Sequence, residues 1–315
     1  MVFQDLLDAK QADIAPGFER LVNDALANQS HKGDFLLVCC NGTYDPDINN
    51  YSGVEPRMPY RIGGGSEGMS AGLHYKFINN YMTSSMYQQS YAGYLEIIGQ
   101  PANNDEESAL LAKVLNQEEI VIQLEMLIYL KIWEADSFIK RLYQITRLAF
   151  GEPYDWHFKI EGIRKQKESD STGTRQSIIR EKVRDRLQKA YPEVYECIKN
   201  GYITQIRNSI AHSNYSFLDR HIHPNNFTKT DPASQLQFIT FNDWVNMLHE
   251  TIVLYTLLIE SSRAIHKYYV EKVKQTGNIH EIQISRKQPE EKTEFHDLIY
   301  LPETNRWNFR SNEEQ

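Results

Sequence analysis

Arg207-Asn208-Ser209-Ile210-Ala211-His212 places a guanidinium five residues before an imidazole, with a carboxamide between them. A fixed cation can neutralise charge that builds on a phosphate, and an imidazole exchanges protons near neutral pH. Together they can serve phosphodiester cleavage. The segment ends a stretch of helical periodicity. Asn208 and His212, at i and i+4, share a helix face, whereas a spacing of five turns a helix by about 140°. Three geometries reconcile Arg207 with His212: a helix that ends near Ser213-Asn214, an arginine that swings round it, or two copies converging on one cleft under two-fold symmetry. The structural alternative is a helix-end cap, with the imidazole on the C-terminal dipole and the arginine paired to an acid elsewhere.

Other chemistry-bearing groups are less pointed. Gly63-Gly64-Gly65-Ser66-Glu67-Gly68 is glycine-rich, but no Lys-Ser/Thr follows, and a surface loop explains it better than a phosphate cradle. His221 and His223 fall on one side of a strand without further ligands nearby, so no metal is expected. Nineteen tyrosines, many between Tyr44 and Tyr94, fit either base stacking or a half-buried aromatic core. Cys39, Cys40 and Cys197 cannot pair off and match no zinc spacing; reduced thiols are expected.

The elements that would position the motif follow from periodicity. A short helix, a break at Pro16-Gly17 and a second helix through Leu21 and Leu26 open the chain. Asp34–Cys40 reads as a strand closed by the turn signal Asn41-Gly42, and 43–70 as a long loop. Tyr75–Ile98 reads as helical up to Gly99. The acidic run Asn103–Ser108 caps a long helical pattern from Leu110 to Phe150, ended by Gly151-Glu152-Pro153. Helical spacing returns from Ile178, is interrupted at Pro192 and resumes through Ile210. A hairpin pairs Tyr215–Ile222 with Leu236–Ile239. Thr240 caps a helix through Ile252 and Ile265 to about Val273, with Asp243 on its dipole, and two short strands, Ile279–Ile284 and Phe295–Leu301, close the chain.

At 315 residues with 41% apolar and 24% charged side chains, the composition is that of a globular chain with one large domain or two small ones. No run is apolar enough to span a bilayer, and no basic segment precedes a long apolar one near Met1, so neither a membrane nor secretion is expected, and the cytoplasm is. Net charge is −8, unevenly spread: residues 1–125 hold 17 Asp/Glu against 7 Lys/Arg, which leaves the rest of the chain at +2. Lys159–Lys189 carries 10 basic and 5 acidic residues just upstream of Arg207. Such a stretch either attracts a phosphate backbone or forms a solvated helix face.

In this setting the Arg-x4-His hexapeptide resembles the HEPN superfamily, helical bundles with an Arg-x(4–6)-His motif and often a polar residue after the arginine. Arg207, Asn208 and His212 map onto that pattern. The resemblance covers roughly residues 105–275. It implies a metal-independent endoribonuclease acting as a homodimer with a composite active site, often in toxin–antitoxin or antiphage systems, with an antitoxin or sensor as partner and no cofactor. Glu134, Asp136, Lys140 and Arg141 are similar to the acidic and basic positions on a preceding helix of the family, although an Asp136–Lys140 pair on a solvated face explains two of them. Some relatives are non-catalytic and work beside a nucleotidyltransferase that modifies a Tyr just after the motif His; Tyr215 lies three residues after His212, where that subgroup has two.

The expected fold is therefore mainly α: a HEPN-like antiparallel helical bundle over 105–275, small β-hairpin additions, a partly β N-terminal region at 1–104 and a short-strand tail at 276–315. Its expected chemistry is transesterification, in which the ribose 2′-hydroxyl attacks the adjacent phosphate, His212 moves the proton, Arg207 holds the non-bridging oxygens and Asn208 orients His212 or the phosphate. Three classes of function stay open on the sequence: a ribonuclease effector, a non-catalytic nucleotide- or RNA-binding dimerisation module, and an interaction protein in which the two residues are incidental.

Overall fold

The computed structural model describes residues 1–45, 59–63, 65–87, 90–101, 103–161, 171–231, 234–287 and 289–310. In chain order the elements are β1 (Val2–Phe3), α1 (Gln4–Asn28), α2 (Asp34–Cys40), β2 (Thr43–Tyr44), β3 (Tyr60–Arg61), α3 (Gly65–Ser85), β4 (Met86–Tyr87), α4 (Tyr91–Gly99), α5 (Asp105–Trp133) and α6 (Asp136–Ala149). A composite helix follows: α7 (Arg175–Ser177), a π-helical stretch over Ile178–Arg184, and α8 (Asp185–Leu187). Then come α9 (Pro192–Gly201), α10 (Thr204–Ala211), β5 (Tyr215–Leu218), β6 (His221–Pro224), β7 (Ile239–Thr240), α11 (Phe241–Val273), β8 (Ile279–Arg286), β9 (Lys292–Leu301) and β10 (Arg306–Phe309). The protein is mainly α with small sheets.

The chain forms two compact units, interleaved rather than consecutive. One comprises Met1–Pro16, Gly72–Ala135 and Pro192–Tyr255; the other Gly17–Ala71, Asp136–Tyr191 and Thr256–Gln315. Pro16-Gly17, read as a helix break, lies inside a continuous α1 and marks instead the passage from the first unit to the second. The single pattern expected over 110–150 is two helices. Glu134 caps α5 with φ −96° and ψ −9°, its N–H bonded to the Leu130 and Ile132 carbonyls, and α6 restarts at Asp136. At the other end Asn104 accepts from the Glu107 N–H at 2.8 Å, so the acidic run does cap α5.

Asp34–Cys40 is a helix, not a strand. Asn41 sits in the left-handed region (φ 53°) and returns its N–H to the Leu37 carbonyl. The Asn-Gly pair that signals a hairpin here closes a helix, because both devices need the same left-handed backbone. The stretch 75–98 is also divided, into α3, β4 and α4, and α3 starts at Gly65, so most of the glycine tract read as a loop is helical; Gly64 lies outside the described residues.

In the first unit β1 pairs parallel with β4, and β5-β6-β7 form an antiparallel sheet. The hairpin partner of β5 is therefore β6, with β7 third. The turn between them, Asp219-Arg220, has φ of 48° and 58° without a glycine. Arg220 holds that strain by a bidentate bond to the buried carboxylate of Glu118, at 2.7 and 3.0 Å. Thr240 and Asp243 exchange hydrogen bonds of 2.7 to 3.0 Å and start α11 as expected. In the second unit β8-β9-β10 form an antiparallel sheet, the first two strands where the sequence placed them.

The core of the first unit is rich in aromatic rings, with Phe3, Tyr94, Tyr129, Trp133 and Trp244 at 2% exposure or less. His249 lies among them. It accepts the Phe3 N–H on Nε2 at 3.0 Å and bonds the Val245 carbonyl through Nδ1 at 2.7 Å, which fixes one neutral tautomer. Burial pushes its pKa from 6.5 down to about 4. Between those values the unfolded chain holds the proton and the folded one does not, so stability falls as pH drops through the window. Buried Asp34, raised by burial from 3.8 to about 7, acts in the opposite sense over much of the same range. Comparison with His249→Gln isolates the histidine: chemical denaturation at pH 7 and pH 4.5 is expected to show a loss steeper in wild type by roughly 2–3 kcal/mol. Equal losses would place a charged imidazole in the fold.

Candidate functional site

Helix α10 carries the motif, and its local geometry follows from its two ends. Ile203 precedes it with extended backbone, its N–H bonded to the buried Tyr129 hydroxyl at 3.3 Å. At the other end His212 is the cap residue. Ser213 turns left-handed (φ 52°) and returns its N–H to the Ile210 carbonyl, and Asn214 returns its own to Ser209 at 2.7 Å. This is a Schellman closure with serine where glycine is usual. It releases the chain immediately after His212, so the helix does end where the first of the three sequence-derived geometries requires.

Arg207 points to the C-terminus of α5. Its guanidinium forms an ion pair with Glu134 through Nη2 and donates to the Asn208 Oδ1 from Nη1 at 2.8 Å. Arg207 is 20% and Glu134 32% exposed, so the pair is partly desolvated yet reachable from solvent. His212 is exposed, and its imidazole makes no hydrogen bond or ion pair among the described residues. The structure thus brings Arg207, Asn208 and Glu134 together in one unit and leaves His212 open to solvent at the end of the same helix.

The remaining candidates are placed differently. Asp136 accepts from Arg175 at 2.7 and 3.0 Å. Lys140 is buried, its ammonium bonded to the Gly42 carbonyl at 2.7 Å and the Thr43 hydroxyl at 2.9 Å. The Asp136–Lys140 pair on a solvated face is therefore replaced by two separate structural contacts within the second unit. Tyr215 is half-buried and packs on Phe217 at 5.7 Å between centroids. His221 and His223 share one side of β6 as expected, both against Phe238 at 4.7 and 5.7 Å. Tyr60, Tyr81 and Tyr94 are buried, which assigns them to the core.

Three cations of the basic stretch are committed to carboxylates. Arg175, Arg184 and Arg186 are paired with Asp136, Asp185 and Glu152. Residues 162–170 of it lie outside the described residues.

One residue that positions the site was not singled out in the sequence. Gln205 is 2% exposed, donates to the Leu236 carbonyl and accepts the Leu236 N–H, both at 2.8 Å. Its own carbonyl accepts from Asn226 at 3.0 Å. Nothing in composition or spacing marks a glutamine on an exposed-looking helix as a buried clamp. Among the described residues no group of three or more His, Cys, Asp or Glu could hold a metal ion, and no helix is long and apolar enough to cross a membrane. No family model matches the chain, nor does a curated protein or a solved structure.

Gln205→Ala leaves the Leu236 N–H and C=O without their partner and is expected to destabilise the protein by about 2–3 kcal/mol. Hydrogen exchange at Leu236 should rise with it. A variant with wild-type stability and wild-type exchange would show that α10 is held by other means.

Proposed function

We propose that the chain is a metal-independent endoribonuclease whose site is built on α10 of a HEPN-like helical unit. The observation that carries this reading is an imidazole without a partner among the described residues, His212, at the exposed end of a helix. The preceding turn of that helix presents a guanidinium already oriented by Glu134 and Asn208. In the proposed reaction the ribose 2′-oxygen attacks phosphorus, the bond to the 5′-oxygen breaks, and His212 carries the proton between them. Arg207 stabilises the charge on the non-bridging oxygens. The nucleophile belongs to the substrate, so the reaction asks of the protein only proton transfer and charge stabilisation.

Activity of this kind suits a growth-arresting or antiphage effector held in check by an antitoxin or sensor partner. A homodimer with a composite site fits the same account. Ile120, Leu124 and Leu127 lie at i, i+4 and i+7 on α5 and are 70%, 40% and 45% exposed, an apolar stripe on the helix that ends in Glu134. We assign that stripe to a second copy of the chain.

One observation favours a second reading, a non-catalytic nucleotide- or RNA-binding dimerisation module: two of the Arg207 nitrogens are already taken. The readings separate on variants. His212→Ala and Arg207→Ala should each lower cleavage of total RNA at least about a hundredfold, and His212→Ala should leave the melting temperature unchanged. No cleavage by wild type beside intact RNA binding would select the module, and unaltered cleavage in both variants would remove Arg207 and His212 from the reaction. Separately, sedimentation should give a dimer that Leu124→Glu converts to a monomer; a wild-type monomer at micromolar concentration would remove the composite site.

A further inference from the structure

The second unit holds a cleft of about 330 Å³, whose lining shares no residue with the proposed RNA site. Its cations arrive from three separate parts of the sequence: Arg147 on α6, Lys182 in the π-helical stretch, and Arg286-Lys287 at the end of β8. The two arginines are already matched. Arg147 reaches Glu152 at 2.7 Å and the Pro153 carbonyl at 3.0 and 3.2 Å, and Arg286 reaches the Glu290 carboxylate at 3.5 Å and its carbonyl at 3.0 Å.

The two lysines are not. The Lys182 ammonium donates to the Thr172 carbonyl at 2.5 Å, a neutral partner. Among the described residues no carboxylate lies within ion-pair distance of Lys182 or Lys287. Asp155 is the carboxylate in the lining, and its oxygens accept from the Tyr143 hydroxyl at 3.2 Å and the His157 N–H at 3.0 Å. Among the described residues the cleft therefore carries positive charge that its carboxylates leave unmatched.

Two further features point to a ligand. Ser171, Thr172 and Ser285 line the same cleft, the Ser285 hydroxyl 3.4 Å from that of Thr293. Thr172 is fixed by its N–H to the Lys159 carbonyl at 2.9 Å and by accepting the Lys159 N–H on its hydroxyl at 3.0 Å, so that hydroxyl keeps its proton to donate. The backbone that carries Lys182 is also unusual. Over Ile178–Arg184 it widens to π geometry, with the Asp185 N–H bonded to the Arg180 carbonyl five residues back. Such turns are rare inside helices and concentrate at functional sites.

We infer that this cleft binds a small phosphate-bearing molecule, its dianion held by the Lys182 and Lys287 ammonium groups and by the surrounding hydroxyls. A tetrahedral dianion matches two point-charge donors spread over a polar wall better than a planar carboxylate, which arginine forks suit. The volume stands at the lower end of the about 300–1,000 Å³ typical of small-molecule sites, enough for a phosphate with a compact organic group. The assignment is independent of the ribonuclease reading.

Calorimetric titration of the full chain at low salt tests it with three probes: AMP, orthophosphate and adenosine. Saturable binding of AMP with adenosine silent is expected. AMP tighter than orthophosphate identifies a nucleotide-like ligand; equal affinities identify the phosphate alone as what is read. Lys182→Ala and the exposed Lys287→Ala should each weaken binding about tenfold, while Lys189→Ala, outside the lining, should not. The inference is overturned if neither anion saturates, if adenosine binds as well as AMP, or if both lysine variants bind like wild type.

Discussion

The Arg207–Glu134 ion pair is the contact on which the candidate site depends. Glu134 is the cap residue of α5 and Arg207 the middle of α10, so the pair ties the end of a 29-residue helix to the turn before His212. A half-exposed pair of this kind contributes little to stability by itself. Its value is geometric: the guanidinium loses its rotational freedom during folding rather than on meeting a substrate. Asn208 completes the clamp from within the helix, the Tyr129 hydroxyl and Gln205 set the helix against its surroundings, and the Schellman turn at Ser213 stops it in time to leave His212 outside.

Helix α5 buries charge as well as apolar surface. Its buried side includes two carboxylates. Glu118 accepts from Arg220 and the Tyr94 hydroxyl, and Glu125 accepts from the Tyr81 hydroxyl at 2.8 Å and the Trp244 indole at 2.9 Å. Trp133, Tyr129 and Met126 are buried beside them, while Ile120, Leu124 and Leu127 face out. Buried carboxylates fully supplied with donors specify one arrangement of the surrounding elements, because any slip strands a charge. The Glu118–Arg220 bond extends that specification to the sheet, where it holds a turn that would otherwise favour glycine.

Much of this was legible in the sequence where a residue acts locally. The Thr240-Asp243 and Asn104 caps follow from side chains that reach their own backbone, and the two C-terminal strands from short runs of strand-forming residues. What escaped was decided by distant partners. Asp34–Cys40 reads as a strand because Phe-Leu-Leu-Val is equally at home in a buried helix, and Asn41 serves either fold. The break at Glu134 carries no glycine or proline to announce it. The β5–β6 turn lacks both as well and exists because Glu118, about a hundred residues earlier, receives Arg220. At the site, Glu134 was named among the supporting residues and stands against Arg207, while Asp136 and Lys140, a few residues on, serve the second unit: periodicity over 110–150 gave no sign that the chain passes between units at Ala135.

The central claim is that the scissile bond is attacked by the adjacent ribose hydroxyl with His212 moving the proton. End-group analysis by mass spectrometry, on one RNA oligonucleotide and its twin bearing a single 2′-deoxy sugar at the cut position, addresses that step alone. The account predicts a 2′,3′-cyclic phosphate on the upstream fragment, a free 5′-hydroxyl on the downstream one, and no cut in the deoxy twin. A 3′-hydroxyl end, or cleavage of the deoxy twin at the same place, would contradict it.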